Sequence, residues 1–169
     1  AMRNGWKCHI VYHGKKSEFE GGLGNAGLVQ MSGASYEFVS ADGISAAMDA
    51  AMERFSKQGL KPYYVHGGGH DIPGATCFVD AIKELKCQGE KMNWKPVYIV
   101  HASGTGGTQA GIAVGLDVVG WSDVKLVGIS IARPQERGKK VIVDFANELS
   151  KCYGIEKDYS NCIEFNTEY

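Results

Sequence analysis

The chain has 169 residues, of which 44% are hydrophobic and 22% are charged, values typical of one compact domain or two small lobes. Its formal net charge is −1, so the chain has no excess of the basic residues with which proteins bind nucleic acid or anionic membranes. Neither is expected as a partner. No apolar run approaches the roughly 20 residues of a membrane span. The five cysteines form no CxxC pair, so we expect structural thiols in a cytoplasmic protein.

Short strand candidates alternate with helical patterns along the chain. The strands are predicted at 7–12, 35–39, 62–66, 96–101 and 125–131. The helices are predicted at 44–57, 73–87, 108–119 and 135–152. This alternation predicts βαβ units, and therefore an α/β fold in which a parallel sheet has helices on both faces.

Glycines and apolar residues indicate how these elements are arranged. The helix after the fourth strand is apolar almost all round, which predicts burial, and its Gly111 and Gly115 would let another backbone approach closely. Residues 21–27 are either a loop or a loose helix start. We expect a small lobe at 1–60 and a larger α/β lobe at 61–169, whose last residues, 159–169, could add a strand at a sheet edge.

The strongest sign of a site is the glycine-rich turn between the fourth strand and the buried helix. Backbone N–H groups of such a turn converge, and together with the positive end of the helix dipole they suit a phosphate group. Glycines let the backbone close on the anion because they lack a Cβ. The alternative is a tight turn that binds no ligand. The predicted phosphate-binding residues are Ser103, Gly104, Thr105, Gly106, Gly107 and Thr108.

Familiar motifs do not account for the glycine-rich segments. The dinucleotide pattern G-x-G-x-x-G fails because Gln109 replaces its third glycine, and no Walker P-loop is present. His66-Gly-Gly-Gly-His70 resembles the oxyanion motif of esterases, but no G-x-S-x-G occurs and no histidine follows His101. A metal site at this histidine pair lacks a matching carboxylate or thiol cluster. The remaining interpretation is a second glycine-rich strand end that faces the same cleft as 103–108.

Residues 100–111, VHASGTGGTQAG, closely resemble the cofactor-phosphate loop of the D-cysteine desulfhydrase and 1-aminocyclopropane-1-carboxylate deaminase family. Residues 62–85 also resemble a segment of that family, and the similarity of 5–11 and 24–39 to its small domain is weaker. Members of this family have the tryptophan-synthase-β-like fold (fold type II) and use pyridoxal phosphate, which a lysine holds as a Schiff base. The resemblance implies that 104–108 hold the cofactor phosphate, and that the chain is a fragment equal to about the middle half of such an enzyme.

Three features of the family have no counterpart in this sequence. They are its lysine motif, its Ser-Asn motif and the group that partners the pyridine nitrogen of the cofactor. None of the fourteen lysines lies in the lysine motif. No catalytic residue and no metal ligand is therefore assigned. The isolated chain, although related to lyases and deaminases, is expected to be inactive and to bind pyridoxal phosphate noncovalently, or a phosphate or sulfate anion.

Two functions stay open at this point. The chain is either a truncated relative of a lyase or deaminase, or a stand-alone module. Such a module would bind phosphate or a phosphorylated small molecule, or would serve in oligomeric interactions. An incomplete fold exposes sheet edges and apolar faces. We therefore expect a homo-oligomer, in the first place a dimer, or pairing with a complementary chain.

Overall fold

The structure is a computed structural model that describes residues 1–131 and 133–168. The chain forms two compact units, a first of Ala1–Tyr64 and a second that begins at Val65. Within the described residues, no helix has both the length and the apolar character that crossing a membrane requires.

The first unit is a two-stranded parallel sheet with three helices. Strand β1 (His9–His13) pairs in register with β2 (Ser35–Val39), so that His9 lies opposite Ser35. Its aromatic cluster is centred on the buried Phe19, whose ring contacts those of Tyr12, Tyr36 and Phe38. The helices are α1 (Lys16–Glu20), α2 (Asn25–Met31) and α3 (Ile44–Lys57).

The glycine-rich segment 21–27, which the sequence leaves open, contains the start of α2. Gly24 has a φ of 66° and precedes the first helical residue, Asn25. That backbone conformation favours glycine because a Cβ would clash with the neighbouring carbonyl. The predicted helix at 44–57 and the predicted strand at 35–39 have the bounds of α3 and β2 and are confirmed.

The second unit is a three-stranded parallel sheet with three longer helices. The sheet has the order β3-β4-β5, with Ser103 opposite Ser130 at the carboxyl ends of its first two strands. The strands are β3 (Tyr98–Ser103), β4 (Lys125–Ser130) and β5 (Glu164–Asn166). The helices are α4 (Ile72–Met92), α5 (Gly107–Val118) and α6 (Gln135–Lys151).

Helix α5 is the centre of the second unit, as its composition predicts. Residues 107 and 109–116 are all buried. A Cβ on Gly111 would meet the carbonyl oxygen of Ala75, and one on Gly115 would lie 2.9 Å from Cβ of Ile82, so both glycines let α4 lie close to α5. This close approach of two backbones confirms the interpretation of the glycine pair.

One face of this sheet is packed and the other is open at β3. Side chains alternate along a strand, so Ile99, His101 and Ser103 share the face on which β4 buries Leu126. On the opposite face Tyr98 is 54% exposed and Val100 is 61% exposed.

The α/β class and the parallel pairing are confirmed, but one predicted strand is wrong and several bounds differ. Residues 62–66 are not in a strand, because they pair with no strand among the described residues. Helix α4 runs past Gly89 and ends where Asn93 adopts a left-handed φ of 52°. Strands β1 and β3 each begin two residues later than predicted.

The end of the described chain supplies the strand that 159–169 were expected to add. Strand β5 pairs in parallel with β4, with Phe165 opposite Gly128. The side chain of Gln109 anchors it, since its Nε2 donates to the carbonyl oxygen of Glu164 at 2.8 Å. Tyr169, the last residue of the predicted stretch, lies outside the described residues.

Candidate functional site

The predicted phosphate-binding residues form a strand–turn–helix segment. Strand β3 ends at Ser103, a short turn follows, and α5 begins at Gly107. Gly106 has a φ of 96°, a conformation that L side chains rarely adopt, and this left-handed residue redirects the chain into the helix. The local sequence requirement is therefore a glycine at 106, with a strand before it and a helix after it.

The turn leaves a row of backbone donors unused. The first bond into α5 runs from the amide of Ala110 to the carbonyl oxygen of Gly106, at 3.0 Å. Among the described residues, no backbone carbonyl accepts a hydrogen bond from the amides of 105–109. Unsatisfied N–H groups at a helix start, together with the helix dipole, attract an anion such as phosphate.

Ser103 adds a buried polar atom that has no bonding partner in the described part of the chain. Its side chain is 2% exposed, and its Oγ accepts or donates no hydrogen bond there. Leaving a hydroxyl buried and unpaired costs about 1–3 kcal/mol, so such an atom at the edge of a phosphate-type turn fits a site for a ligand. The residues present therefore fit a phosphate group.

Packing from outside requires a glycine at one position of the turn. A Cβ on Gly106 would lie 2.9 Å from Cγ1 of Ile142 in α6, and Ile142 is buried. A Cβ on Gly104 would lie 3.3 Å from Cδ1 of Ile131, but that side chain is 65% exposed and can move. The structure thus explains Gly106 by packing and by backbone conformation.

Gln109 explains why this turn departs from the dinucleotide pattern. Its side chain is completely buried and lies beside Gly128, where a Cβ would collide with the Gln109 amide. Its hydrogen bond to Glu164 holds β5 in the sheet. A glycine at 109 would remove that bond, so the glutamine has a structural role in this fold.

The second glycine-rich segment, 66–70, lies against the turn. A Cβ on Gly68, whose φ is 71°, would lie 2.9 Å from Cγ2 of Thr105. His70 packs its ring on Phe145, with 4.4 Å between ring centroids, and its Nδ1 lies 3.6 Å from the position that a Cβ on Gly107 would take. The two glycine-rich segments predicted to face one cleft are therefore neighbours.

Side chains of both charge types lie near His70. Burial lowers the pKa of His70 most, and Arg133 and His66 lower that pKa further. Asp71 and Glu148 act in the opposite direction. Because the charge of Arg133 acts on His70, Arg133 lies in the neighbourhood of the turn. The sequence analysis did not identify Arg133.

The sequence does contain a signal for Arg133. Arg133 follows the end of β4, and the carboxyl ends of parallel strands lie at the same edge of the sheet, so Arg133 is expected at the edge where the turn lies. Arg133 is half-buried, and its amide donates a hydrogen bond to Oγ of Ser130 at 3.1 Å. Among the ion pairs of the described residues, none involves Arg133.

His101 lies on the packed face of β3. Its Nδ1 donates to the carbonyl oxygen of Ala102 at 2.9 Å, and its Nε2 is buried with no hydrogen-bond partner in the described residues. Burial lowers the pKa of His101, so the imidazole is neutral near pH 7. In residues 1–131 and 133–168, no group of three or more His, Cys, Asp or Glu side chains is placed to hold a metal ion.

A cavity of about 650 Å³ lies at the other end of α5. Its polar lining includes Asp117, whose carboxylate pairs with Lys157 at 2.8 Å and accepts a hydrogen bond from Tyr159 at 2.7 Å. Burial raises the pKa of Tyr159, and the bond to Asp117 raises it further. This cavity is therefore distinct from the predicted phosphate turn.

Comparison with known proteins gives a consistent family. The family model described as "Pyridoxal-phosphate dependent enzyme" matches residues 1–164. A 1-aminocyclopropane-1-carboxylate deaminase of Burkholderia cenocepacia is 31% identical over 140 residues, which are 80% of this chain and 41% of the relative. The corresponding protein of Burkholderia lata is 33% identical over 133 residues, 76% of this chain and 39% of the relative.

A solved structure of an ACC deaminase homologue has the same fold. It superposes with a TM-score of 0.80 at 27% identity, covering 98% of this chain and 49% of that one. The chain thus spans about two fifths of the length of the curated relatives and about half of the solved structure.

Proposed function

We propose that this chain, which belongs to the family of pyridoxal-phosphate dependent enzymes, holds the phosphate group of that cofactor at residues 103–108. The observation that carries the proposal is the row of unused amides at 105–109, beside the buried and unpaired Oγ of Ser103. A phosphate oxygen accepts hydrogen bonds from both kinds of donor.

Each part of the turn has a role in this proposal. The amides of 105–109 bind the phosphate oxygens, and the hydroxyl groups of Ser103, Thr105 and Thr108 add donors from their side chains. Gly106 holds the left-handed conformation through which the turn enters α5. Bound pyridoxal phosphate supplies an electron sink for reactions of amino acids.

The relatives suggest the reaction class of the whole protein. The curated relatives are named 1-aminocyclopropane-1-carboxylate deaminases, and the chain spans about two fifths of their length. We propose that these residues are the phosphate-binding part of a lyase or deaminase that acts on a small amino acid. Residues 103–108 bind the cofactor phosphate. No residue of this chain is proposed to break a bond of the substrate.

We further propose that the 169 residues alone bind the cofactor without forming a covalent bond to it. The motif that carries the Schiff-base lysine in the family has no match among the fourteen lysines. Several of these lysines are already paired with carboxylates, as Lys95 is with Asp123 and Lys140 is with Asp144. If the chain acts alone, its function is to bind phosphate without catalysing a reaction, and this is the second function that we propose.

The test is a titration of the purified chain with pyridoxal phosphate, monitored by absorbance and by thermal unfolding. Inorganic phosphate and pyridoxal, which lacks the phosphate, are the controls. We expect phosphate and pyridoxal phosphate to raise the melting temperature, pyridoxal to have no effect, and the absorbance band of the free aldehyde to persist. A borohydride-reducible adduct on one lysine would contradict noncovalent binding, and no stabilisation by either phosphate compound would contradict the site itself.

We propose, finally, that the open face of the second sheet mediates association. Tyr98 and Val100 are more than half exposed on the face opposite α5, and Ile131 beyond β4 is 65% exposed. Parallel sheets are normally covered on both faces. In a solution of the purified chain the available cover is a second copy, so we expect a homodimer, and in the whole protein we expect further polypeptide to occupy this face.

A further inference from the structure

We propose that His70 is a direct ligand of the anion held at the turn, donating a hydrogen bond from its Nδ1 to the bound phosphate group. The proposal rests on the proposed function, because it requires an anion at 103–108. It adds a side chain from a different segment, outside the turn to which sequence motifs point.

The position of His70 supports this role. Its Nδ1 is buried and has no hydrogen-bond partner among the described residues. The same atom lies 3.6 Å from where a Cβ of Gly107 would be, at the first residue of α5. In a helix each Cβ leans toward the N-terminus, so this atom lies beside the mouth of the amide row.

The ring of His70 is held in place by its neighbours. Its face packs on Phe145 of α6, with 4.4 Å between ring centroids. The backbone on its C-terminal side is fixed by Asp71, whose Oδ1 accepts from the amide of Gly74 at 2.7 Å. An imidazole held in this way has little rotational freedom to lose when its unused nitrogen binds a ligand.

The charges around His70 determine how binding depends on pH. Arg133 and His66 favour its neutral form, whereas Asp71 and Glu148 favour its charged form. Burial has the largest effect and keeps the pKa below its ordinary value of 6.5 in the free chain. A bound dianion adds negative charge and raises the pKa of His70, so binding takes up a proton and the affinity increases as the pH falls through the pKa of His70.

The test uses sulfate, which stays a dianion across this range, whereas phosphate esters titrate near pH 6. Two variants separate the donor from the packing. His70→Phe keeps a ring on Phe145 and loses the donor, and His70→Asn keeps an N–H at nearly the same position and loses the ring. Sulfate affinity is measured by calorimetry at pH 7.5 and 5.5, with urea unfolding as the check on folding.

We expect His70→Phe to weaken sulfate binding by about tenfold at pH 5.5, the typical size of one hydrogen bond to a charged group. We expect His70→Asn to retain most of the affinity at pH 7.5 and to lose part of the increase at pH 5.5. Equal affinity of His70→Phe and the wild type at both pH values would overturn the proposal. If the wild type binds neither sulfate nor phosphate, the proposed function fails as well.

A second measurement does not depend on a variant that folds. The ring proton signals of the five histidines are followed by NMR as the pH is changed, with and without saturating sulfate. We expect sulfate to raise the pKa of His70 and to leave the signals of the first unit, which contains His9 and His13, unchanged. A His70 titration that sulfate does not move would overturn the direct contact.

Discussion

Replacing Gly106 by alanine tests whether the turn has the conformation described here. Gly106 has a φ of 96°, which a residue with a Cβ rarely adopts. The added Cβ would also lie 2.9 Å from Cγ1 of Ile142, a side chain that is only 1% exposed and cannot move into solvent. We therefore expect Gly106→Ala to destabilise the second unit and to weaken phosphate binding together.

The magnitude follows from these two effects. A left-handed conformation costs an L residue about 1–2 kcal/mol. One extra methyl group in a packed interior costs about 1–3 kcal/mol. The free energy of unfolding should fall by about 2–5 kcal/mol, a large part of the roughly 5–15 kcal/mol of a typical domain.

The matched control is Gly120→Ala in the same unit. Gly120 has a φ of 73°, but a Cβ there would have no heavy atom within 4 Å. This variant should lose only the conformational part, about 1–2 kcal/mol. Both variants are measured by urea unfolding followed by fluorescence, and by phosphate titration. If Gly106→Ala costs no more than Gly120→Ala, the contact with Ile142 does not constrain the turn and the packing argument is wrong.

Three further predictions concern stability and assembly. In the folded chain the pKa values of His70 and His101 lie below the ordinary value of 6.5, so the unfolded chain takes up protons first as the pH falls. The melting temperature should therefore fall as the pH is lowered from 7.5 to 5.5. A melting temperature that does not change over this range would contradict the prediction. Asp71→Ala removes the cap on the amide of Gly74 and should cost about 0.5–2 kcal/mol by urea unfolding, whereas Asp71→Asn should cost less. Val100→Glu should shift light scattering of the purified chain from dimer toward monomer with little change in the unfolding midpoint, and an unchanged mass would exclude this face as the contact.

Local patterns predicted the parts of this fold that local forces determine. The helical periodicity of 44–57 and the β-rich composition of 35–39 gave the bounds of α3 and β2 correctly, because each element is specified by its own residues. Helix α5 was predicted within one residue, since a glycine turn before it and apolar residues all round it mark a buried helix. The turn itself was visible as a strand–glycine–helix sequence.

Tertiary structure decided what the sequence missed. Residues 62–66 have strand-like composition, but a strand requires a neighbour to bond with, and composition does not reveal the neighbour. The helix predicted at 73–87 continues to Met92, and the missing Cβ of Gly89 leaves room for the carbonyl oxygen of Trp94 beyond the helix end, 2.5 Å from where a Cβ would be. His70 and Arg133 come near the turn only through folding, since more than thirty residues separate His70 from Gly107.

The location of the turn has a consequence for how binding and folding are coupled. Every residue placed at the site (Ser103, the amides of 105–109, Gly68, His70 and Arg133) belongs to the second unit. A ligand bound there stabilises that unit by RT ln(1 + [L]/Kd), about 2.7 kcal/mol at one hundred times Kd. The segment 66–70 and the turn that leads into α5 contribute to the site from two different parts of the chain, so binding requires both to be in place. Phosphate should therefore raise the unfolding transition of the second unit and leave that of the first unit unchanged, because every residue of the proposed site lies in the second unit.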